Sequence, residues 1–172
     1  MKLSEITKLP EYFDRYMNKC DDVDIITAIE TSINELGELP VSKWKAIGSK
    51  TYAEGKWTIS DILQHLIDAE RIFIYRALCI ARGEKSPLPS FSEDEYVVQA
   101  GASARNIDEQ ISELKNLHIS LLDMYKSFSP EILQRCSKSF TGEYTVADIG
   151  FIIPGHQRWH FEVIKERYEQ IK

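Results

Sequence analysis

TISDILQHLIDAERIFIYRALCIA, residues 58 to 81, determines the fold class of this chain. Its apolar residues recur every three or four positions, the period of an amphipathic helix and not of a strand. Thr58 stands where an N-cap belongs, with Asp61 three residues on, an acidic variant of the capping box. Trp57 before it and Ile62 after it supply the hydrophobic staple. Gly83 and the PLP turn at 87–89 end the helix. YTVADI, residues 144–149, repeats the same entrance, with Thr145 as cap, Asp148 as its partner and Tyr144 and Ile149 as staple. It opens a second long helix expected to reach about Ile171.

Two more helices follow from period alone. From Asp22 to about Leu36, Ile25, Ile26, Ile29, Ile33 and Leu36 form one stripe, closed by Gly37 and Pro40. From about Asn106 to Phe128, Ile107, Ile111, Leu114, His118, Leu121, Tyr125 and Phe128 repeat in a 4-3-4-3 pattern. LPEYFDRYMNK reads as a short helix ahead of these, with Pro10 at its entrance. No alternating strand pattern of useful length is present, and 87–104 reads as one long irregular connection. The expectation is an all-α single domain over residues 1–172: a four-helix bundle, most simply up and down, with an extra short N-terminal helix and a long crossover.

With 172 residues, 43% hydrophobic, the chain can bury a full core. The net charge of -6 argues against a nucleic-acid binder. The N-terminus lacks the apolar core of a secretory signal, and no stretch approaches the roughly 18 apolar residues of a membrane span. Cys20, Cys79 and Cys136 are too scattered for a disulfide framework or a thiolate metal site. A cytoplasmic protein is expected.

Chemistry enters with GHQRWH, residues 155–160. His156 and His160 are one helical turn apart, so both imidazoles leave the same face. His65 falls about two turns into its own helix, and in a bundle the two helices can bring all three histidines to one end of the core. Three neutral imidazoles with a vacant position form the ligand set of a catalytic zinc-type site, although an i,i+4 pair is also common by coincidence. Asp68, one turn from His65, suits either an orienting or proton-accepting carboxylate or an ion pair with Arg71 or Arg76. His118, on an apolar stripe, is better read as pocket-lining than as a fourth ligand. Trp159, on the ligand face, is expected to wall the pocket. Pro154 removes a donor to the carbonyl of Gly150, so it either kinks the last helix to aim the pair or begins that helix.

GKWTISDILQHLIDAERIFIYRALCIARGEKSPLPSFSEDEY (55–96) and IIPGHQRWHFEVIKERY (152–168) together resemble the DinB-like, or YfiT-like, superfamily. The resemblance implies a four-helix bundle with a divalent metal held by His65, His156 and His160. Many relatives carry histidine where this chain has Trp159. Members were first described as candidate metal-dependent hydrolases; some use low-molecular-weight thiols such as bacillithiol or mycothiol as S-transferases or isomerases.

Three functions compete. The first is a thiol S-transferase acting on small electrophiles, with Arg76 or Arg158 receiving a carboxylated thiol. The second is a hydrolase that activates water, with Asp68 as base. The third is a non-enzymatic metal or small-molecule binding module, closed by a fourth ligand such as His118. Imidazole ligands suit several ions, zinc and nickel foremost. The expected partners are a small-molecule substrate, a low-molecular-weight thiol and, from the apolar first helix and the habit of relatives, a second copy of the chain in a homodimer.

Overall fold

The computed structural model describes residues 1–139 and 142–171. The helices are α1 (Asp14–Met17), α2 (Ile25–Glu35), α3 (Val41–Ile47), α4 (Ile59–Ala81), α5 (Glu93–Ala100), α6 (Ile107–Lys126), α7 (Pro130–Leu133) and α8 (Val146–Val163). One π turn, Ile164–Tyr168, prolongs α8.

Four of these, α2, α4, α6 and α8, are long enough to bury a full stripe, and they make the expected bundle. Both α6 and α8 pack against α2 and against α4. The ring order is therefore α2–α6–α4–α8, and α2 and α4, consecutive long helices, stand at opposite corners. That departs from the simplest up-and-down order. The connection between them carries α3 along α6, which gives the chain length to cross the diagonal.

Both capping boxes form. The Thr58 hydroxyl accepts from Asp61 N at 3.1 Å, and Thr58 N donates to Asp61 Oδ2 at 2.9 Å. Thr145 N donates to Asp148 Oδ2 at 2.7 Å, and the Thr145 hydroxyl accepts from Asp148 N at 3.0 Å. Each cap satisfies donors the helix leaves open and contributes about 1 kcal/mol. They set the start of α4 and α8, and so the height of every histidine on them.

Two features differ from the sequence reading. The segment 87–104 holds α5, capped by Ser92 and opening on Glu93, Asp94 and Glu95, a favourable charge arrangement at a helix N-terminus. A short antiparallel hairpin, β1 (Cys136–Ser139) and β2 (Gly142–Thr145), pairs Cys136 with Thr145 and leads directly into the α8 cap. It is four residues a side, too short for alternation to register. Helix α8 is continuous through Pro154, which decides between the two readings of that proline: it lies inside the last helix and does not begin it.

Two glycines on α8 explain how tightly the bundle closes. A Cβ at Gly150 would stand 2.7 Å from Ile25 Cγ2 and 2.8 Å from Tyr125 Cε1, where α8 meets α2 and α6. At Gly155 it would stand 2.0 Å from the carbonyl oxygen of Tyr16. The α1 backbone thus lies directly on α8, beside His156. Among the described residues, no helix is long and apolar enough to cross a membrane.

Candidate metal centre

His65 projects from α4, and His156 and His160 from successive turns of α8. The three ring nitrogens converge: His156 Nε2 is 3.2 Å from His65 Nε2 and 3.0 Å from His160 Nε2. One ligating atom from each lies within 4.8 Å of the others, and no fourth His, Cys, Asp or Glu joins the group among the described residues. Tetrahedral ligation at about 2.0–2.1 Å separates ligand nitrogens by roughly 3.3 Å, so the spacing fits one small cation with a coordination position to spare.

Protonation state fits as well. Burial pushes the His65 imidazole down to about 4. Burial, and then the neighbouring His65, push His160 down to about 3. His156 is held well below the ordinary range by burial, then by His160 and His65. All three are neutral at pH 7, the form that ligates.

Aromatic rings hold the imidazoles. Tyr16 stacks edge-on against His156 with centroids 4.7 Å apart, and the Trp57 staple ring lies 5.0 Å from His65. Trp57 thus serves the helix entrance and the site together.

Two clefts reach the cluster. One, about 130 Å³, is lined by Tyr16, Phe73, Arg76, Phe91 and Glu93 and ends at His156. The other, about 240 Å³, is lined by Tyr52, Lys56, Trp57, Asp94 and Tyr168 and ends at His160. The first turn of α5 lies over both, placing Glu93 in one and Asp94 in the other. Burial, then Asp94, hold the Glu93 carboxyl above the ordinary range, although the residue is exposed at the rim. These two carboxylates escaped the sequence reading because 87–104 read as irregular. Ser92 followed by three acids was the signal available.

The remaining candidates separate. Arg76 is buried and lines the His156 cleft. Asp68 does not serve the cluster: it accepts from Gln64 Nε2 at 3.0 Å, lies 3.6 Å from Arg71 and faces another groove with Glu95 and Tyr96. The ion-pair alternative, with Arg71, describes it. Arg158 is spent on Glu35, Asp21 and the carbonyl of Lys19, tying α8 to α2 and the α1–α2 loop. Trp159 lies edge-on behind Tyr16 at 5.8 Å, so Tyr16 lines the cleft where Trp159 was expected to, and Trp159 does not reach it.

His118 stands apart from the cluster. Its Nε2 is 2.9 Å from Glu70 Oε2 and its Nδ1 is 2.7 Å from Ser32 Oγ. This Ser-His-Glu chain resembles a nucleophilic triad, but all three side chains are enclosed and the Ser32 hydroxyl donates to the Ile29 carbonyl. It joins α2, α4 and α6 in the core.

The sequence profile of the DinB superfamily matches residues 27–164, which hold all three histidines and all four bundle helices but for the first two residues of α2. The chain belongs to the DinB superfamily. This DinB superfamily chain is 27% identical over 139 residues to a protein of Oceanobacillus iheyensis named as a candidate metal-dependent hydrolase, covering 80% of this chain and 79% of that one. A Geobacillus thermodenitrificans protein of the same description is 26% identical over 84 residues, 49% of this chain and 47% of its own. Among solved structures, YfiT from Bacillus subtilis, described as a probable metal-dependent hydrolase with an unusual four-helix bundle topology, superposes with TM-score 0.67 at 14% identity. That match covers 94% of this chain and 88% of YfiT. A mycothiol-dependent maleylpyruvate isomerase superposes with TM-score 0.57 at 14% identity, over 95% of this chain; the chain spans only 62% of that protein. At these identities the structural likeness establishes the shared fold.

Removing any metal from this DinB superfamily protein should leave it acid-sensitive. The folded pKa of His65 lies below the unfolded value of 6.5, so the unfolded chain binds more protons between about 4 and 6.5. Stability is complete above pH 6.5 and is lost as pH falls towards 4. The shift is worth about 2 kcal/mol between pH 7 and pH 5 for His65 alone. Urea midpoints of EDTA-treated wild type and His65→Asn at both pH values measure it. The variant should lose clearly less than wild type; superimposable losses would contradict the assignment.

Proposed function

We propose that this protein is a metal-dependent enzyme that transfers a low-molecular-weight thiol to a small electrophile, with His65, His156 and His160 holding one divalent ion, zinc or nickel. A bound ion of this kind supplies a Lewis-acidic position that lowers the pKa of a thiol or water. The protein holds the three imidazoles neutral, stacks Tyr16 and Trp57 against them and, among the described residues, brings no fourth His, Cys, Asp or Glu to them. The observation that carries the reading is the pair of clefts, which approach the cluster from opposite ligands and give two reactants separate seats. In the transfer, the S–C bond forms as the bond to the leaving group breaks, and the leaving group takes that electron pair. The thiol proton passes to a rim carboxylate, Glu93 being suited by its raised pKa, and then to water.

Hydrolysis is the second reading, favoured by the names of the curated relatives and by the same Glu93, which could take a proton from water. The binding-module reading loses its expected signature, since His118 is committed to Glu70. Protein purified without a nickel column, loaded with zinc or nickel, separates the two enzymes. With bacillithiol or another small thiol and an activated alkyl halide, a thioether should accumulate only when both are present. Turnover of esters or amides without thiol would replace transfer by hydrolysis.

A further inference from the structure

Arg76 is only 8% exposed, yet no carboxylate pairs with it among the described residues. Its one hydrogen bond runs from Nη2 to the Pro89 carbonyl at 2.8 Å, which pins the strap before α5. Phe73 and Phe91 lie 5.6 and 6.0 Å from the guanidinium carbon. A guanidinium has five N–H donors in a planar fork matched to carboxylate geometry, and none of the Arg76 nitrogens is both buried and unpartnered, so its free donors open to the cleft. Arg76 also lines the cleft that ends at His156. Elsewhere the buried or half-buried arginines are consumed: Arg158 by Glu35 and Asp21, Arg105 by Glu113 and Gln64.

The walls of that cleft are mainly aromatic, with Tyr12, Phe13, Tyr16, Phe73 and Phe91 around a volume of about 130 Å³, and its one carboxyl, Glu93 at the rim, is held above the ordinary range by burial, which lessens its repulsion of an anion. An apolar cavity of about 150 Å³ takes a benzene ring. Tyr12 holds φ at 75°, a strained backbone for a residue with a Cβ, and Arg15 Nε donates to its carbonyl at 2.8 Å to hold it there. The strain turns a second phenol ring toward the same cleft.

We propose that this cleft is a subsite for the carboxylate end of a small, flat, apolar substrate, anchored by the Arg76 guanidinium between aromatic walls. The reacting end points toward His156, and only that direction rests on the metal-enzyme reading above. The carboxylate belongs either to the electrophile or to a thiol; the chemistry recognised is the same.

Equilibrium binding tests it without turnover. Benzoate and its neutral isostere benzamide are titrated into metal-loaded and EDTA-treated protein, followed by calorimetry or by ligand-observed NMR. Benzoate should bind about 10- to 100-fold more tightly than benzamide, the range of a charge-assisted bidentate contact, with and without metal. Arg76→Met should abolish that preference and Arg76→Lys should reduce it, with metal content unchanged in both. Equal binding of the two probes to wild type overturns the proposal even if the variants fail to fold. Benzoate binding that vanishes with the metal and ignores Arg76→Met assigns the carboxylate to the ion, and overturns it too. Loss of catalysis or of metal with the Arg76-dependent preference intact would count against the proposed enzyme and leave the subsite standing. With the benzoate preference in place, tighter binding of 2-mercaptobenzoate than of benzoate to the metal-loaded protein assigns the subsite to the cosubstrate; equal binding of those two carboxylates assigns it to the electrophile.

Discussion

Gly155→Ala is expected to destabilise the protein by about 3 kcal/mol or more and to lift α1 off α8, the upper range for forced overpacking. The new Cβ would lie 2.0 Å from the Tyr16 carbonyl oxygen and 2.5 Å from its carbon. Both are backbone atoms, so no rotamer change relieves the clash. The chain segment itself must move, taking the Tyr16 ring away from His156 and opening the cleft wall. Gly150→Ala provides the comparison, since the atoms nearest its Cβ belong to the side chains of Ile25 and Tyr125, which can shift. Urea midpoints and the ring-current shifts of His156 measure both effects. A Gly155→Ala variant within about 0.5 kcal/mol of wild type, the range of an innocuous surface change, would show that α1 does not seat there.

The second large effect is on metal affinity. His65→Ala, His156→Ala and His160→Ala should each weaken binding on the order of 100-fold or more, since removing a residue that merely orients a ligand already costs 10–100-fold. His118→Ala should spare the metal. It leaves Glu70 buried without its partner instead, at a cost of about 3 kcal/mol in stability. The two classes of variant therefore separate on two readouts, metal content and urea midpoint. Full metal retention in His160→Ala would remove that residue from the site.

The long helices and the cluster were legible because they rest on local signals. A capping box is read within six residues, and Thr58 and Thr145 place His65, His156 and His160 along their helices with little error. The exchange of α2 and α4 to opposite corners was not legible, because period says which face of a helix is buried and nothing about which helix covers it. Glu93 and Asp94 were missed for a related reason. Helix α5 has no buried residue, so no apolar stripe marks it, and only its cap and acidic first turn betray it. Asp68 was legible only as a pair of alternatives: one turn from His65 it suited either the cluster or an ion pair, and long-range packing decides, with Gln64 and Arg71 holding it toward another groove. Tyr16 depends on long-range contact. Its place on His156 follows from the glycine at 155, and no periodicity in LPEYFDRYM could reveal that.

X-ray absorption at the metal edge of untagged protein, purified without a nickel column and loaded with one equivalent of zinc, tests the central claim most directly. The expected spectrum shows one ion per chain with three imidazole nitrogens at about 2.0–2.1 Å and one exchangeable light ligand, and it loses an imidazole in His160→Ala. An ion held by oxygen or sulfur donors, or the same spectrum after that substitution, would contradict the three-histidine centre.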